Sequence, residues 1–127
     1  MQIKIRCINF DLSEAIEEYV TKKISSLEKF LEVKDATLCE VEIGKTTNHH
    51  KSGDIFKAEV NLVQPAHKQV YAVAEEEDLY AAIDIVRDEV ERELTSDKKK
   101  RWRLLRRGGA RVKELLKRID MRPKRWR

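Results

Sequence analysis

Residues 69–94 read QVYAVAEEEDLYAAIDIVRDEVEREL, and the period of the chain changes inside them. Gln69 to Ala74 reads as a short strand. From Leu79 the apolar residues Ile83, Val86, Val90 and Leu94 follow at three- and four-residue steps, the spacing of an amphipathic helix. The four acids between, Glu75 to Asp78, sit at the expected helix start, where the positive end of the helix dipole favours negative charge.

Working backward from this strand-to-helix junction, Gln64 to Lys68, with Pro65, reads as a turn. Phe56, Ala58, Val60 and Leu62 alternate with charged and polar neighbours in the manner of a half-buried strand, and Thr37 to Ile43 does the same. GKTTNHHKSGD, residues 44–54, breaks the alternation with two glycines and is expected to be a loop. Gln2 to Ile8 is a further alternating stretch. Ser13 offers an N-cap, with Glu14 and Glu17 in the first turn after it. A helical stripe of Ile16, Tyr19, Val20, Ile24, Leu27, Phe30 and Leu31 follows, about fifteen residues long. The resulting order, β-α-β-β-β-α, predicts an α+β fold: a four-stranded sheet containing an antiparallel meander, with both helices packed on one face. Double-stranded RNA-binding domains share that plan.

The 127 residues fit one domain, expected over 1–97, with an extension over 98–127. Residues 1–97 hold 12 Lys/Arg against 21 Asp/Glu, a net of −9; residues 98–127 hold 15 against 2, a net of +13. In that extension the helix is expected to run on for a few turns at most before Gly108 and Gly109 stop it. Arg111 to Ile119 forms a short basic amphipathic segment. Basic residues interleaved with Trp102 and Trp126 combine phosphate neutralisation with flat surfaces for base stacking, the requirements of non-sequence-specific nucleic-acid binding. The basic candidates on the folded part are Lys22, Lys23 and Lys29 on the first helix and Arg87 and Arg92 on the second, the latter two expected to lie outward. Beyond them the contact surface is expected to continue through Lys98, Lys99, Lys100, Arg101, Trp102, Arg103, Arg106 and Arg107.

No catalytic constellation stands out. Cys7, Cys39, His49 and His50 lack metal-ligand spacing, and the cysteines read as reduced thiols acting as small hydrophobes within strands. A loop group of His49, His50 and Ser52 is the one place an RNA-processing activity would have to reside. The expectation is a binding protein with no metal, cofactor or small-molecule substrate. The first ten residues are too polar for a signal peptide, and no apolar run approaches the ~20 residues of a membrane span. A cytoplasmic protein without membrane contact is therefore expected.

FDLSEAIEEYVTKKISSLEKF and AVAEEEDLYAAIDIVRDEVEREL, in this element order, resemble the ribosome hibernation-promoting factor and ribosome-associated translation inhibitor family over roughly residues 1–100. The run from Glu76 to Asp84 is the most specific piece, and HHKSGDIFKAEV fits the family's second hairpin. The resemblance implies a non-catalytic protein, a monomer off the ribosome, that occupies the messenger and tRNA channel of the small ribosomal subunit. It also implies ribosomal RNA contacts at Lys22, Lys23, Lys29 and Arg92, with Lys98, Lys99 and Lys100 standing for the family's lysines at the end of the second helix. Glu89 and Ser96 replace lysines common in the family, and the basic extension is expected to compensate. Long members carry a second domain that pairs ribosomes; thirty residues are too few for one, so pairing by this chain alone is not expected. The rival reading is a general double-stranded RNA-binding protein without ribosome specificity.

Overall fold

The computed structural model describes residues 1–46, 54–96 and 99. Four strands, β1 (Gln2–Ile8), β2 (Leu38–Thr46), β3 (Ile55–Val63) and β4 (Val70–Glu76), lie in the order β1-β2-β3-β4. Helix α1 (Glu14–Ser25) connects β1 to β2, and α2, residues 79–96, follows β4. The strands from β2 to β4 form the expected antiparallel meander, and β1 pairs parallel to β2. A parallel neighbour requires a crossover, and α1 with its following turns supplies it.

One face of the sheet is buried. Cys39, Val41 and Ile43 of β2, Ala58, Val60 and Leu62 of β3, and Val70, Ala72 and Ala74 of β4 share a core with Val20 and Ile24 of α1 and with Leu79, Ile83, Val86, Val90 and Leu94 of α2. Ile3, Ile5 and Cys7 point the same way but are only half-buried. Full burial of each Val, Leu or Ile side chain contributes about 1.5–3 kcal/mol. Burial also pushes the Cys39 thiol up to about 12, so it remains protonated and packs as a small hydrophobe. Cys39 lies opposite Ile3, four residues along β1 from Cys7. At about 3.3 Å per residue, that offset is too wide for a disulfide.

The opposite face is charged. Arg6 pairs with Glu42 directly across the β1–β2 ladder. Lys57 lies 3.0 Å from Glu59 and, with the Tyr71 hydroxyl donating to the same residue at 2.9 Å, holds the Glu59 carboxyl below its usual range.

Three boundaries differ from expectation. Helix α1 stops at Ser25: the Ser26 hydroxyl donates to the Lys23 carbonyl, a local competitor for the helical backbone. The chain then tightens to three-residue steps, Leu27 to Ile24 and Phe30 to Leu27, in a 3-10 turn at Glu28–Phe30 that still turns Leu27 and Leu31 inward. Strand β2 runs through Gly44 to Thr46, because its ladder with β3 continues to Thr46 opposite Ile55. A side chain at Gly44 would meet Ile8 only at 3.6 Å, an ordinary contact, so this glycine is no break. Glu75 and Glu76 belong to β4, paired with Lys57 and Phe56, and it is Asp78 that caps α2, its carboxylate accepting from the Ala81 N–H at 3.2 Å.

The turn after β3 carries two opposed effects. Buried Gln64 accepts from the backbone N–H groups of Glu32 and Val33 at 2.7 and 3.1 Å, tying this turn to the segment after α1. Two residues on, Ala66 has φ of 64°, a left-handed conformation that favours glycine. Gln64→Ala is expected to lower stability by about 2–4 kcal/mol, since it leaves two inward-facing donors unmatched. Ala66→Gly is expected to raise it by about 0.5–1 kcal/mol. Urea unfolding measures both, and equal effects of one sign would contradict this account.

Candidate nucleic-acid interface

The two helices run parallel. Tyr19 of α1 meets Tyr80 and Asp84 of α2, Lys23 meets Asp84, and Ser26 meets Arg87, so residue numbers climb together along the seam. Both N-termini therefore share one end of the helical layer and both later halves share the other. The sequence then divides the charge. No basic residue occurs between Arg6 and Lys22 or between Lys68 and Arg87, whereas Glu14, Glu17, Glu18, Glu77 and Asp78 are all exposed at the N-terminal end. Lys22, Lys29, Arg92 and Lys99 are exposed toward the other end, which they share on the second helix with Asp88, Glu89, Glu91 and Glu93, so that end is mixed where the first is wholly acidic. Among the described residues none of these four cations is ion-paired. Lys29 lies 5.3 Å from the centroid of its neighbour Phe30, a cation–π contact.

The remaining two candidates have partners. Lys23 is half-buried, its Nζ 3.3 Å from Asp84 Oδ1 and 5.6 Å from the Tyr19 ring centroid. Arg87 does not point outward as expected. Its side chain is only 12% exposed; Nε donates to Ser26 Oγ at 2.9 Å, and Nη1 pairs with Asp88 and Glu91. The reason is helical geometry: Arg87 follows Val86 and precedes Val90 by three residues, placing it on the flank of the apolar stripe that faces α1. Arg87 thus ties the helices together. Arg92 instead lines a shallow depression along α2 with Asp88, Glu91, Thr95, Ser96 and Lys99. Glu89 is half-buried, and Ser96 is exposed.

Lys98, Lys100, Arg101, Trp102, Arg103, Arg106 and Arg107, the segment Arg111 to Ile119, Trp126, and the loop group His49, His50 and Ser52 lie outside the described residues. Among the described residues no three His, Cys, Asp or Glu side chains are grouped to hold a metal ion, and no helix is long and apolar enough to cross a membrane.

A family model described as "Sigma 54 modulation protein / S30EA ribosomal protein" matches residues 3–102. The chain belongs to the S30EA ribosomal protein family. It is 34% identical to the ribosome hibernation promoting factor of Azotobacter vinelandii, over 79% of this chain and 85% of that protein. The Escherichia coli K12 protein of the same name is 31% identical, over 79% and 96%. Among solved structures, the N-terminal domain of Thermus thermophilus Protein Y matches with a TM-score of 0.61 and 26% identity, over 74% of this chain and 96% of that one. A ribosomal subunit interface protein from Coxiella burnetii, 20% identical, has the same fold at a TM-score of 0.61, over 78% and 99%.

Within this S30EA domain, sequence reasoning placed Tyr19 in the core stripe and assigned no role to Asp84. The structure makes them the centre of the helix seam: the Tyr19 hydroxyl donates to Asp84 Oδ1 at 2.6 Å, and Tyr80 meets the Tyr19 ring edge-on at 4.8 Å. Matched three- and four-residue steps of Tyr19, Lys23 and Ser26 against Tyr80, Asp84 and Arg87 were the available signal.

The hydrogen bond to Asp84 is the main cause that pushes the Tyr19 phenol up to about 12. A phenol held above its unfolded value of about 10 contributes stability that is complete below pH ~10 and lost as pH rises through ~12. Wild type is expected to exceed Tyr19→Phe by about 1 kcal/mol at pH 7 and 9, with the gap closing toward pH 12. Urea titrations at pH 7, 9 and 11 check this, and a gap independent of pH would refute it.

Proposed function

We propose that this chain is a ribosome-binding hibernation factor that inhibits translation by occupying the messenger and tRNA channel of the small ribosomal subunit. The observation that carries the reading is the polarised helical layer of an S30EA domain. Parallel helices gather Lys22, Lys29 and Arg92 toward the end from which the +13 extension departs, where Asp88, Glu89, Glu91 and Glu93 stand among them, while the other end holds acids and no cation. Ribosomal RNA presents phosphates at high density, and a one-ended basic surface engages them in a single orientation. The names of the relatives, ribosome hibernation promoting factors and a ribosomal subunit interface protein, support the ribosome as partner.

In this reading Lys22, Lys23, Lys29 and Arg92 contact phosphates directly, and Arg87 acts mainly by fixing the angle between the helices. The basic residues from Lys98 to Arg107 add contacts that Glu89 and Ser96 do not supply. No step of chemistry is involved, and the protein acts by occupancy alone.

The test is co-sedimentation of the full chain with purified ribosomal subunits across a salt series, with and without messenger and initiator tRNA. Binding to the small subunit that is lost on adding both competitors is the expected result. Removal of residues 98–127 is expected to weaken binding and to flatten its salt dependence by roughly 0.7–0.9 in log–log slope for each phosphate no longer neutralised. Binding that ignores the competitors and extends equally to free duplex RNA would replace this reading with a general double-stranded RNA-binding protein.

A further inference from the structure

Lys22 and Lys23 are neighbours with different surroundings. Lys22 is exposed and has no ion pair among the described residues, whereas Lys23 is held by Asp84 at 3.3 Å across the helix seam. The oxygen that receives Lys23, Asp84 Oδ1, also accepts the Tyr19 hydroxyl at 2.6 Å, and the Tyr19 ring is backed edge-on by Tyr80. The carboxylate therefore has a second anchor and stays in place when Lys23 moves. Lys23 is 37% and Asp84 42% exposed, so a polyanion lying along the seam has access to both.

Resting on the RNA-binding reading above, we propose that Asp84 is a specificity-determining residue: a resident carboxylate that competes with RNA phosphate for Lys23. One N–H of the ammonium faces the carboxylate and two remain for a phosphate, but a phosphate there must share the cation and lie close to a negative charge that Tyr19 keeps in place. An exposed ion pair of this kind opposes the phosphate by at most about fivefold in affinity. A short duplex that touches one helix at a time gains too little from this phosphate to overcome that opposition. RNA shaped to lie across both helices holds the phosphate at the seam through its other contacts and does overcome it. The cluster thus lowers affinity for incidental RNA more than for a partner that spans the helical layer.

The test uses the full chain, a short synthetic RNA duplex and purified small ribosomal subunits, with affinity measured across a salt series. Asp84→Asn retains an oxygen that accepts from Tyr19 but removes the charge. It is expected to tighten duplex binding about three- to fivefold, to steepen the log–log salt slope by about 0.9, and to narrow the ratio of subunit to duplex affinity. Combining it with Lys23→Gln is expected to cancel the gain. A second comparison leaves the seam carboxylate in place: in the otherwise native chain, Lys22→Gln is expected to weaken duplex binding several-fold and Lys23→Gln less than twofold.

The inference falls if Asp84→Asn binds duplex with the native affinity and slope, or if the two lysine variants lose equally. It also falls if Asp84→Asn binds more weakly at unchanged melting temperature, which would make Asp84 a positioning residue for Lys23. A full chain that binds neither duplex nor subunit removes the RNA-binding reading and this inference with it; a full chain that binds both with an inert Asp84→Asn removes this inference alone.

Discussion

A sheet whose strands alternate apolar with charged residues can be covered on one side only, and the rest of the molecule follows from that restriction. Val41, Ile43, Val60 and Leu62 make the covered side, while Arg6, Glu42, Lys57 and Glu59 make a face that stays in water. Both helices must then lie in a single layer on the same side. Because β2, β3 and β4 form a meander and β1 runs parallel to β2, the strands that feed the two helices, β1 and β4, point in the same direction. Helices that return from them side by side are parallel. The gathering of cations at one end of the layer is thus a consequence of strand topology, with the lysines only filling places that the topology had already brought together.

The seam between the helices is polar where most helix contacts in a domain this size are apolar. Tyr19 and Asp84, and Ser26 and Arg87, meet through directed hydrogen bonds, and Lys23 adds an ion pair to Asp84. Directed bonds fix the rotation of each helix about its own axis more tightly than interchangeable methyl contacts do, because a slip of one residue moves a donor out of reach. That rotation sets which side chains emerge beside the seam.

Much of this was legible in the sequence because it depends on periodicity. The two-residue alternation of β1 to β3 and the three- and four-residue stripe of Leu79, Ile83, Val86, Val90 and Leu94 gave element types and inward faces directly. Boundaries were less legible, because they turn on single hydrogen bonds: the Ser26 hydroxyl that ends α1 early, and the β3 partners that keep Glu75 and Glu76 in β4. Side-chain pairing was least legible. Arg87 looks like any surface arginine until the neighbouring helix brings Ser26 to it, and Asp84 is one acid among many until Tyr19 reaches it across 65 residues of chain. Such contacts need the tertiary structure, since the residues concerned share no local pattern.

Parallel helices have a further consequence. Their macrodipoles add instead of cancelling, so the cations gather toward the negative direction of both helix dipoles. Lys22 and Lys23, in the last turn of α1, stabilise the helix that displays them, and Glu14 and Glu17 do the same at its start. In many binding sites, concentrated like charge destabilises the free protein, and fold and affinity are selected against each other. Here the backbone supplies a counter-charge, and the same substitutions that build the cationic end also strengthen its scaffold.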